Sequence, residues 1–183
     1  VKENNMLTTS VLICLTALSI DMRNADVICE NAPIIQEMSE KYDLDPSLII
    51  AVGRIESAWT PTARSGSNAC GVMQVLPKYS KKFANKGRNL TCDELKHPET
   101  GIRVGTKILS FWLHKYAKGR ETIALCGYNA GFRCKGENKN KQGLKYAKAV
   151  LKYRKYFKRK WEYKSENTKM KCLPTINYLL SLI

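Results

Sequence analysis

Apolar residues recur every three or four positions along most of this 183-residue chain. In residues 48–59 the repeat places Leu48, Val52 and Trp59 on one side, and residues 98–116 carry the longest pattern of this kind. Such a period predicts helices with one buried face. No alternation of strand and helix patterns indicates a parallel sheet, and no internal repeat is present. The sequence therefore predicts one compact, mostly α-helical domain.

Boundary residues support the helical interpretation. Further helices are predicted at residues 32–42, 121–129 and 144–161. Thr91 and Glu94 have the spacing of a capping box, in which each side chain satisfies a free backbone donor of the other residue. Gly131 stands where a left-handed cap would end a helix. Residues 60–69 are rich in turn formers and predict an extended loop beside a small irregular β region, and residues 135–143 predict a polar loop.

The positive charge is concentrated near the C-terminus. The net charge is +15, and residues 133–172 hold 15 Lys and Arg against 3 acids, which leaves 16 against 13 for the rest of the chain. Such a segment favours polyanions, which include nucleic acid, anionic lipid and acidic envelope polymers. Charge alone does not distinguish among them.

The N-terminal region has the pattern of an export signal. Residues 7–20 are mostly apolar, too few to span a bilayer comfortably but suited to a signal-peptide core. We therefore expect residues 1–28 to be a signal peptide or a releasable N-terminal anchor, with a plain buried helix as the alternative. The folded domain is then expected at residues 29–161, with a C-terminal extension at 162–183.

Seven cysteines also favour an oxidising compartment. Loss of Cys14 with a leader would leave six that allow up to three disulfides, with buried free thiols as the alternative: Cys29, Cys70, Cys92, Cys126, Cys134 and Cys172. No Cys-x-x-Cys spacing favours a zinc or redox site. His97 and His114 stand alone and are expected to be structural. We expect neither a metal nor an organic cofactor.

Glu56 is the one acidic residue on the apolar face of its predicted helix. It follows Val52 by four residues and precedes Trp59 by three, and it falls near the helix C-terminus. Burial and the negative end of the helix dipole both raise the pKa of a carboxyl, as a general acid requires. Gly53, one turn earlier, is expected to leave room for a substrate. The alternative is a core glutamate paired with a basic side chain.

Three short motifs occur in order along the chain. They are Arg54-Ile55-Glu56-Ser57, Gly71-Val72-Met73-Gln74 and Cys126-Gly127-Tyr128-Asn129-Ala130-Gly131. Together they resemble the motifs of the soluble lytic transglycosylase family, which is related to goose-type lysozyme. Residues 98–105 and 146–150 are similar to further segments of that family, so the resemblance covers about residues 32–157. It implies an α+β lysozyme-like fold that is mostly α, with the irregular β region beside an active-site cleft.

The resemblance implies that Glu56 acts on peptidoglycan glycan strands. It would protonate the oxygen that links N-acetylmuramic acid to N-acetylglucosamine, and then accept the proton of the muramyl 6-hydroxyl as a 1,6-anhydro ring closes. One group can serve both steps, because giving up its proton creates the base.

The remaining motif residues are implied to surround the substrate. Ser57 would orient it, Met73 and Gln74 would line the cleft, Tyr128 would hydrogen-bond to the catalytic carboxyl, and Asn129 would bind substrate. For Met73 and Tyr128, ordinary core packing is the alternative.

Two departures from other patterns are informative. Most glycosidases use two carboxylates, yet no acid occurs in residues 57–92, which favours a transglycosylase over a hydrolytic muramidase unless Asp93 or Glu94 folds inward. Cys126 and Gly127 stand where the family often has small residues such as alanine.

The basic helix and the export signal together favour a protein of the cell envelope. Lysines interleave with aromatic residues in 144–161, and we expect the aromatics to pack on the domain while the charge holds the protein on an anionic wall polymer or lipid surface. Nucleic acid is not the expected partner, and a monomer is expected. We expect export to the periplasm or envelope, with an extracellular or phage-lysis role as an alternative. A non-catalytic cationic wall- or membrane-binding protein is the competing class.

Overall fold

The computed structural model describes the backbone of residues 2–84, 86–134 and 140–180, with side chains for 9–84, 86–134 and 140–164. That part of the chain is mostly helical, as predicted. The α-helices are α1 (Lys2–Ser19), α2 (Ala25–Glu30), α3 (Ala32–Tyr42), α4 (Pro46–Ser57), α5 (Lys81–Ala84), α6 (Cys92–Lys96), α7 (Pro98–Ser110), α8 (Glu121–Ala130) and α9 (Lys141–Leu180). Residues 135–139 of the predicted polar loop lie outside the described residues.

Helix α4 forms the centre of the core. Its N-cap is Asp45, whose carboxylate accepts a hydrogen bond of 2.8 Å from the Ser47 amide, and Pro46 occupies the first turn. Residues 47–53 are all buried. Helix α9 packs across both α4 and α8 and buries Phe157 fully. The helices that carry the predicted motifs therefore share one core.

An irregular segment follows α4 and replaces any extended sheet. It contains two isolated antiparallel bridges, Arg64 with Cys70 and Cys70 with Val75. A disulfide joins Cys70 to Cys92 at the start of α6, where Thr91 and Glu94 form the predicted capping box. The loop of the second motif is thus fixed to the helical body by a covalent bond.

Helix α7 continues into a π-helix at Phe111–Tyr116, where the Ala117 amide donates to the Trp112 carbonyl. The predicted single helix over 98–116 is therefore present but widens in its last turns. Helix α8 ends at Gly131, as predicted, yet the backbone there has φ 62° and ψ −148°, which is not the left-handed cap expected from the sequence. Both conformations need positive φ, which glycine adopts without a steric penalty.

Helix α1 packs against α2, α3 and α9 and contributes Ile13 and Ala17 to the core. A disulfide joins Cys14 to Cys29, a pairing that uses a cysteine outside the six expected to remain if a leader is removed. The side chain of Cys172 lies outside the described residues. The connectivity follows from the packing of α1 beside α2, which spacing alone does not reveal. Within the described backbone, no helix is both long and apolar enough to cross a bilayer.

Arg154 clamps α9 onto two other helices. Its guanidinium donates to Asp45 at 2.9 Å, at the start of α4, and also to Glu121, in the first turn of α8. Its side chain is only 18% exposed. Arg154 is therefore not one of the solvent-exposed cations of residues 144–161. Its planar fork satisfies two partly buried carboxylates at once.

Candidate active site

Glu56 lies in the last turn of α4, half-buried, with its carboxyl enclosed by protein. The helix ends one residue later because Ala58 and Trp59 adopt positive φ, which turns the Trp59 ring back under the helix. That ring lies over Gly53, where an added Cβ would meet Trp59 Cε2 at 2.7 Å. The space at Gly53 is therefore occupied by Trp59, so the expectation that it admits substrate is wrong.

Burial raises the pKa of the Glu56 carboxyl from 4.5 to about 7, and a hydrogen bond from Tyr146 acts in the opposite direction. Burial acts in this way because it disfavours the charged form. The raised pKa agrees with the expectation from the apolar helix face. At neutral pH, Glu56 is poised to give or take a proton.

Tyr146, on α9, is the hydrogen-bond partner of this carboxyl. Its hydroxyl donates a hydrogen bond of 2.7 Å to Oε1 of Glu56. Burial first, and then the charge of the Glu56 carboxylate, raise the pKa of Tyr146 well above its usual range. The phenol therefore stays protonated and remains a donor through the whole neutral range.

Tyr128 has a different partner from the one that was predicted. Its hydroxyl donates to the backbone carbonyl of Met73 at 2.9 Å, whereas Tyr146 supplies the hydrogen bond to Glu56. Burial, and next the nearby Glu56 charge, raise the pKa of Tyr128 well above its usual range. Tyr128 thus lies close to Glu56 but connects α8 to the loop of the second motif.

The second motif is fixed mainly through its backbone. The side chain of Met73 is fully buried against Gly105 of α7. Gln74 has positive φ, and its side-chain amide donates to the carbonyls of Ala63 and Gly71. These bonds hold a tight turn beside Glu56.

Ser57 and Asn129 lie at two edges of this arrangement. The Ser57 hydroxyl donates to the Val72 carbonyl at 2.8 Å and accepts from the Thr60 amide at 3.2 Å. It therefore joins the end of α4 to the second motif. Asn129 is exposed near the C-terminus of α8. Substrate contacts by Ser57, Met73, Gln74, Tyr128 and Asn129 remain predictions.

Asp93 and Glu94, the two candidates for a second carboxylate, both form salt bridges with basic side chains. Asp93 is 89% exposed and pairs with Lys96. Glu94 completes the capping box and pairs with Lys86 and Arg88. Neither contributes to the raised pKa of Glu56. In the described part of the chain, no cluster of His, Cys, Asp or Glu is arranged to hold a metal ion.

Sequence reasoning missed Tyr146 as a site residue. It lies 90 positions from Glu56 along the chain, and it faces inward on a helix dominated by lysines. The available signal was the resemblance of residues 146–150 to a segment of the family. Tyr146 is the aromatic residue of that segment, so the resemblance could have identified it as a candidate partner of Glu56.

Comparison with known proteins agrees with this geometry. A family model described as "Transglycosylase SLT domain" matches residues 33–151. The chain is 31% identical over 139 residues to a membrane-bound lytic murein transglycosylase C of Actinobacillus pleuropneumoniae serotype 5b, covering 70% of this chain and 37% of that protein. A protein of the same name from Photorhabdus laumondii is 36% identical over 109 residues, covering 54% of this chain and 30% of the relative. The chain thus spans about a third of the length of these curated relatives.

Solved structures show the same fold. An inactive mutant of the lytic transglycosylase Slt from Pseudomonas aeruginosa superposes with a TM-score of 0.63 at 22% identity, covering 82% of this chain and 30% of that one. The 70 kDa soluble lytic transglycosylase from Escherichia coli gives a TM-score of 0.62 at 21% identity, covering 80% and 29%. The helical arrangement around Glu56 is therefore the one found in these proteins.

Proposed function

Because the chain belongs to the transglycosylase SLT domain family, we propose that it is a peptidoglycan lytic transglycosylase. It cleaves the β-1,4 bond between N-acetylmuramic acid and N-acetylglucosamine and leaves 1,6-anhydro-N-acetylmuramic acid. The observation that supports this most directly is the single enclosed carboxyl of Glu56, with a pKa of about 7 and a tyrosine hydroxyl 2.7 Å away.

Glu56 supplies the acid and then the base. In the first step its proton passes to the glycosidic oxygen as the bond from that oxygen to the muramyl anomeric carbon breaks. In the second step the muramyl 6-oxygen bonds to that carbon, and its proton returns to Glu56. Atoms balance without water, and the enzyme ends in its starting protonation state.

Tyr146 assists both steps by holding the carboxyl. Its hydrogen bond stabilises the carboxylate that exists between the two proton transfers, because a donor favours the charged acceptor. It also fixes the direction in which the other carboxyl oxygen faces. Around this pair we propose that Ser57, Gln74, Tyr128 and Asn129 bind the glycan strand, whereas Met73, which is fully buried, supports them from the core.

Hydrolysis is the closest alternative. A hydrolytic muramidase of the usual kind needs a second carboxylate roughly 5 to 9.5 Å from the first. Asp93 and Glu94 are committed to exposed ion pairs. Among the described side chains, the site therefore supports one-carboxylate chemistry. A non-catalytic binding protein would have no need of an enclosed carboxyl with this pKa.

Digestion of purified sacculi tests the proposal. We expect the released muropeptides to carry 1,6-anhydro ends, which mass spectrometry detects as products lighter by one water than those of hydrolysis. Glu56→Gln keeps the size of the side chain but removes the acidic proton, so release of muropeptides should stop. Hydrated products from the wild-type protein would establish the muramidase, and no products at all would favour the binding protein.

We further propose that α9 holds the protein on an anionic envelope surface. Five exposed cations recur with alternating spacings of three and four residues, and we call them the basic stripe: Lys145, Lys148, Lys152, Lys155 and Arg159. No carboxylate within the described side chains forms an ion pair with any of them. Leu144 and Leu151 line a shallow groove beside three of these lysines, which gives the surface an apolar component suited to lipid.

Co-sedimentation distinguishes the partners of the basic stripe. We expect binding to phosphatidylglycerol vesicles but not to phosphatidylcholine vesicles, with loss of binding as salt rises. Replacing the five cations with Gln should abolish it, whereas replacing Lys78, Lys81 and Lys82, on another surface, should not. Binding to sacculi alone would identify wall polymer as the partner, and binding to DNA alone would refute an envelope role.

A further inference from the structure

Phe132 exposes an aromatic ring at the end of the third motif. It follows directly after the third motif, in a 3-10 turn at Gly131–Cys134, and is 65% exposed. A single exposed phenylalanine is unremarkable in a folded protein. Phe132 differs from such a residue because two other aromatic rings pack beneath it.

Phe132 rests on two aromatic rings of the π-helix. Its ring centroid lies 5.2 Å from that of Trp112 and 5.5 Å from that of Tyr116. Trp112 and Tyr116 are themselves 4.8 Å apart, so each of the three rings contacts the other two. Tilted and edge-to-face contacts at these distances are favourable. Short π-helical segments are uncommon and often occur at functional sites.

Gly127 makes room for this stack. A Cβ at Gly127 would lie 2.3 Å from Cε3 of Trp112, closer than any real contact. An alanine there, the kind of residue that the family often has, would therefore force Trp112 away from α8. The glycine lets the tryptophan reach the position from which it supports Phe132.

Cys126 fixes the turn that carries Phe132. It forms a disulfide with Cys134, which closes residues 131–134 against the end of α8. Both sulfurs are buried against Gly143 of α9. The two adjacent departures from the family pattern therefore both affect Phe132. Cys126 holds its turn through the disulfide, and Gly127 makes room for Trp112 beneath it.

We propose that Phe132, supported by Trp112 and Tyr116, is a stacking platform for a pyranose ring of the bound glycan strand. This inference rests on the proposed function. The C–H face of an N-acetylhexosamine carries partial positive charge and complements the negative face of an aromatic ring. A rigid ring loses little freedom on binding, which favours affinity.

The surroundings fit a sugar better than a protein partner. The ring belongs to a small exposed aromatic area, whereas protein-binding patches extend over several hundred Å². Asn129, three residues before Phe132, and Arg133, the residue after it, are exposed and offer polar groups to sugar hydroxyls and acetamides. Asn129 and Phe132 also lie at the same end of α8, the helix that places Tyr128 near Glu56.

Kinetics with soluble, uncross-linked peptidoglycan strands test the platform. Phe132→Ala should raise KM roughly tenfold and leave kcat within about twofold, since one stacking contact is lost from ground state and transition state alike. Phe132→Tyr and Phe132→Trp keep a ring and should restore KM. Tyr156→Ala, which removes an exposed ring from α9, is the matched control and should behave as wild type.

A binding measurement separates this inference from the proposed reaction. In the Glu56→Gln background, we expect Phe132→Ala to raise the Kd for a β-1,4-linked hexamer of N-acetylglucosamine roughly tenfold. If wild type forms no anhydro product but the Kd still depends on the ring, the reaction is wrong and the platform stands. If wild type is active and Phe132→Ala changes neither KM nor Kd, the platform is wrong.

Discussion

The hydroxyl of Tyr146 lies 2.7 Å from Oε1 of Glu56, 90 residues away along the chain, and joins α9 to α4. Helix α4 brings the acid, and α9 brings the donor that stabilises its charged form. Both side chains are embedded between the same packed helices, so their separation is set by the core and not by a mobile loop.

Tyr146→Phe tests that contact. The variant keeps the ring but loses the donor, so we expect kcat/KM to fall roughly 10- to 100-fold, the value of a hydrogen bond to a charged group. The hydrogen bond lowers the pKa of Glu56, so its loss should move the basic limb of the kcat/KM profile to higher pH. Tyr156→Phe is the control. An unchanged pH profile would show that Tyr146 does not act through the carboxyl.

Glu56→Gln should alter stability in a pH-dependent way. Between pH 4.5 and about 7 the folded protein keeps a proton that the unfolded chain has released, so wild-type stability falls as pH rises through that window. The difference corresponds to about 3 kcal/mol. The Gln variant carries no charge, so it should gain about that amount over wild type at pH 8 and little at pH 4.5. Urea unfolding measures this, and a pH-independent difference would contradict a raised pKa.

Arg154→Met should loosen α9 from α4 and α8. We expect a loss of about 1–3 kcal/mol at neutral pH, because Asp45 and Glu121 lose a charged donor at partly exposed positions. Burial acts to raise the pKa of Asp45, and hydrogen bonds from Ser47 and Arg154 more than offset it, so that pKa lies below its ordinary 3.8. The stability from Asp45 is therefore present above pH 3.8 and is lost as pH falls through the lower, folded-state pKa.

Lys155→Met is the matched control for Arg154→Met. It removes a neighbouring cation that is exposed on the same helix, and its effect should stay within about 0.5 kcal/mol. Equal effects of the two substitutions on urea unfolding would refute the clamp.

Gly127→Ala tests the fit of Trp112. In an open helix, alanine would be better than glycine by about 1 kcal/mol. Here the added methyl group would meet Trp112 at 2.3 Å, so we expect a net loss of about 1–3 kcal/mol. In a Trp112→Leu background the same substitution should become neutral or stabilising. A loss of equal size in both backgrounds would show that the ring is not the cause.

Cys14→Ser tests the disulfide between α1 and α2. The bond closes a loop of 15 residues, which corresponds to about 3 kcal/mol of stability. Cys29→Ser should cost the same amount of stability, and the double variant no more than either single one. Additive losses in non-reducing urea titrations would contradict the bond.

Release of residues 1–28 remains a prediction, and it would leave Cys29 without its partner Cys14.

Local sequence signals predicted most of the helices. Leu48 and Val52 correctly indicated the buried face of α4, and Thr91 with Glu94 correctly indicated the start of α6, because both signals act within a few residues. The raised pKa of Glu56 also followed from its place on an apolar face. The helix and cap signals depend on neighbours in sequence and need no knowledge of the tertiary fold, whereas the burial of Glu56 is a property of the whole fold.

Contacts between distant segments were beyond such signals. Tyr146, and not Tyr128, hydrogen-bonds to Glu56 because of the way in which α8 and α9 pack against α4. Hydrophobic periodicity within one helix does not reveal that packing. The Trp59 ring fills the space at Gly53 because the chain reverses at Ala58. Hydrophobic periodicity extended the predicted helix to Trp59 and did not show that the helix ends before it. The pairing of Cys14 with Cys29 likewise required α1 to be placed against α2.

Helix α9 carries the basic stripe on its exposed side and Tyr146 on its inner side. A helix with its side chains is roughly 10–12 Å across. An anionic surface bound by the stripe would therefore lie at a distance of about one helix diameter from the Glu56 carboxyl. Under the proposed function, α9 would then set how far from that surface a glycan strand must lie to reach Glu56.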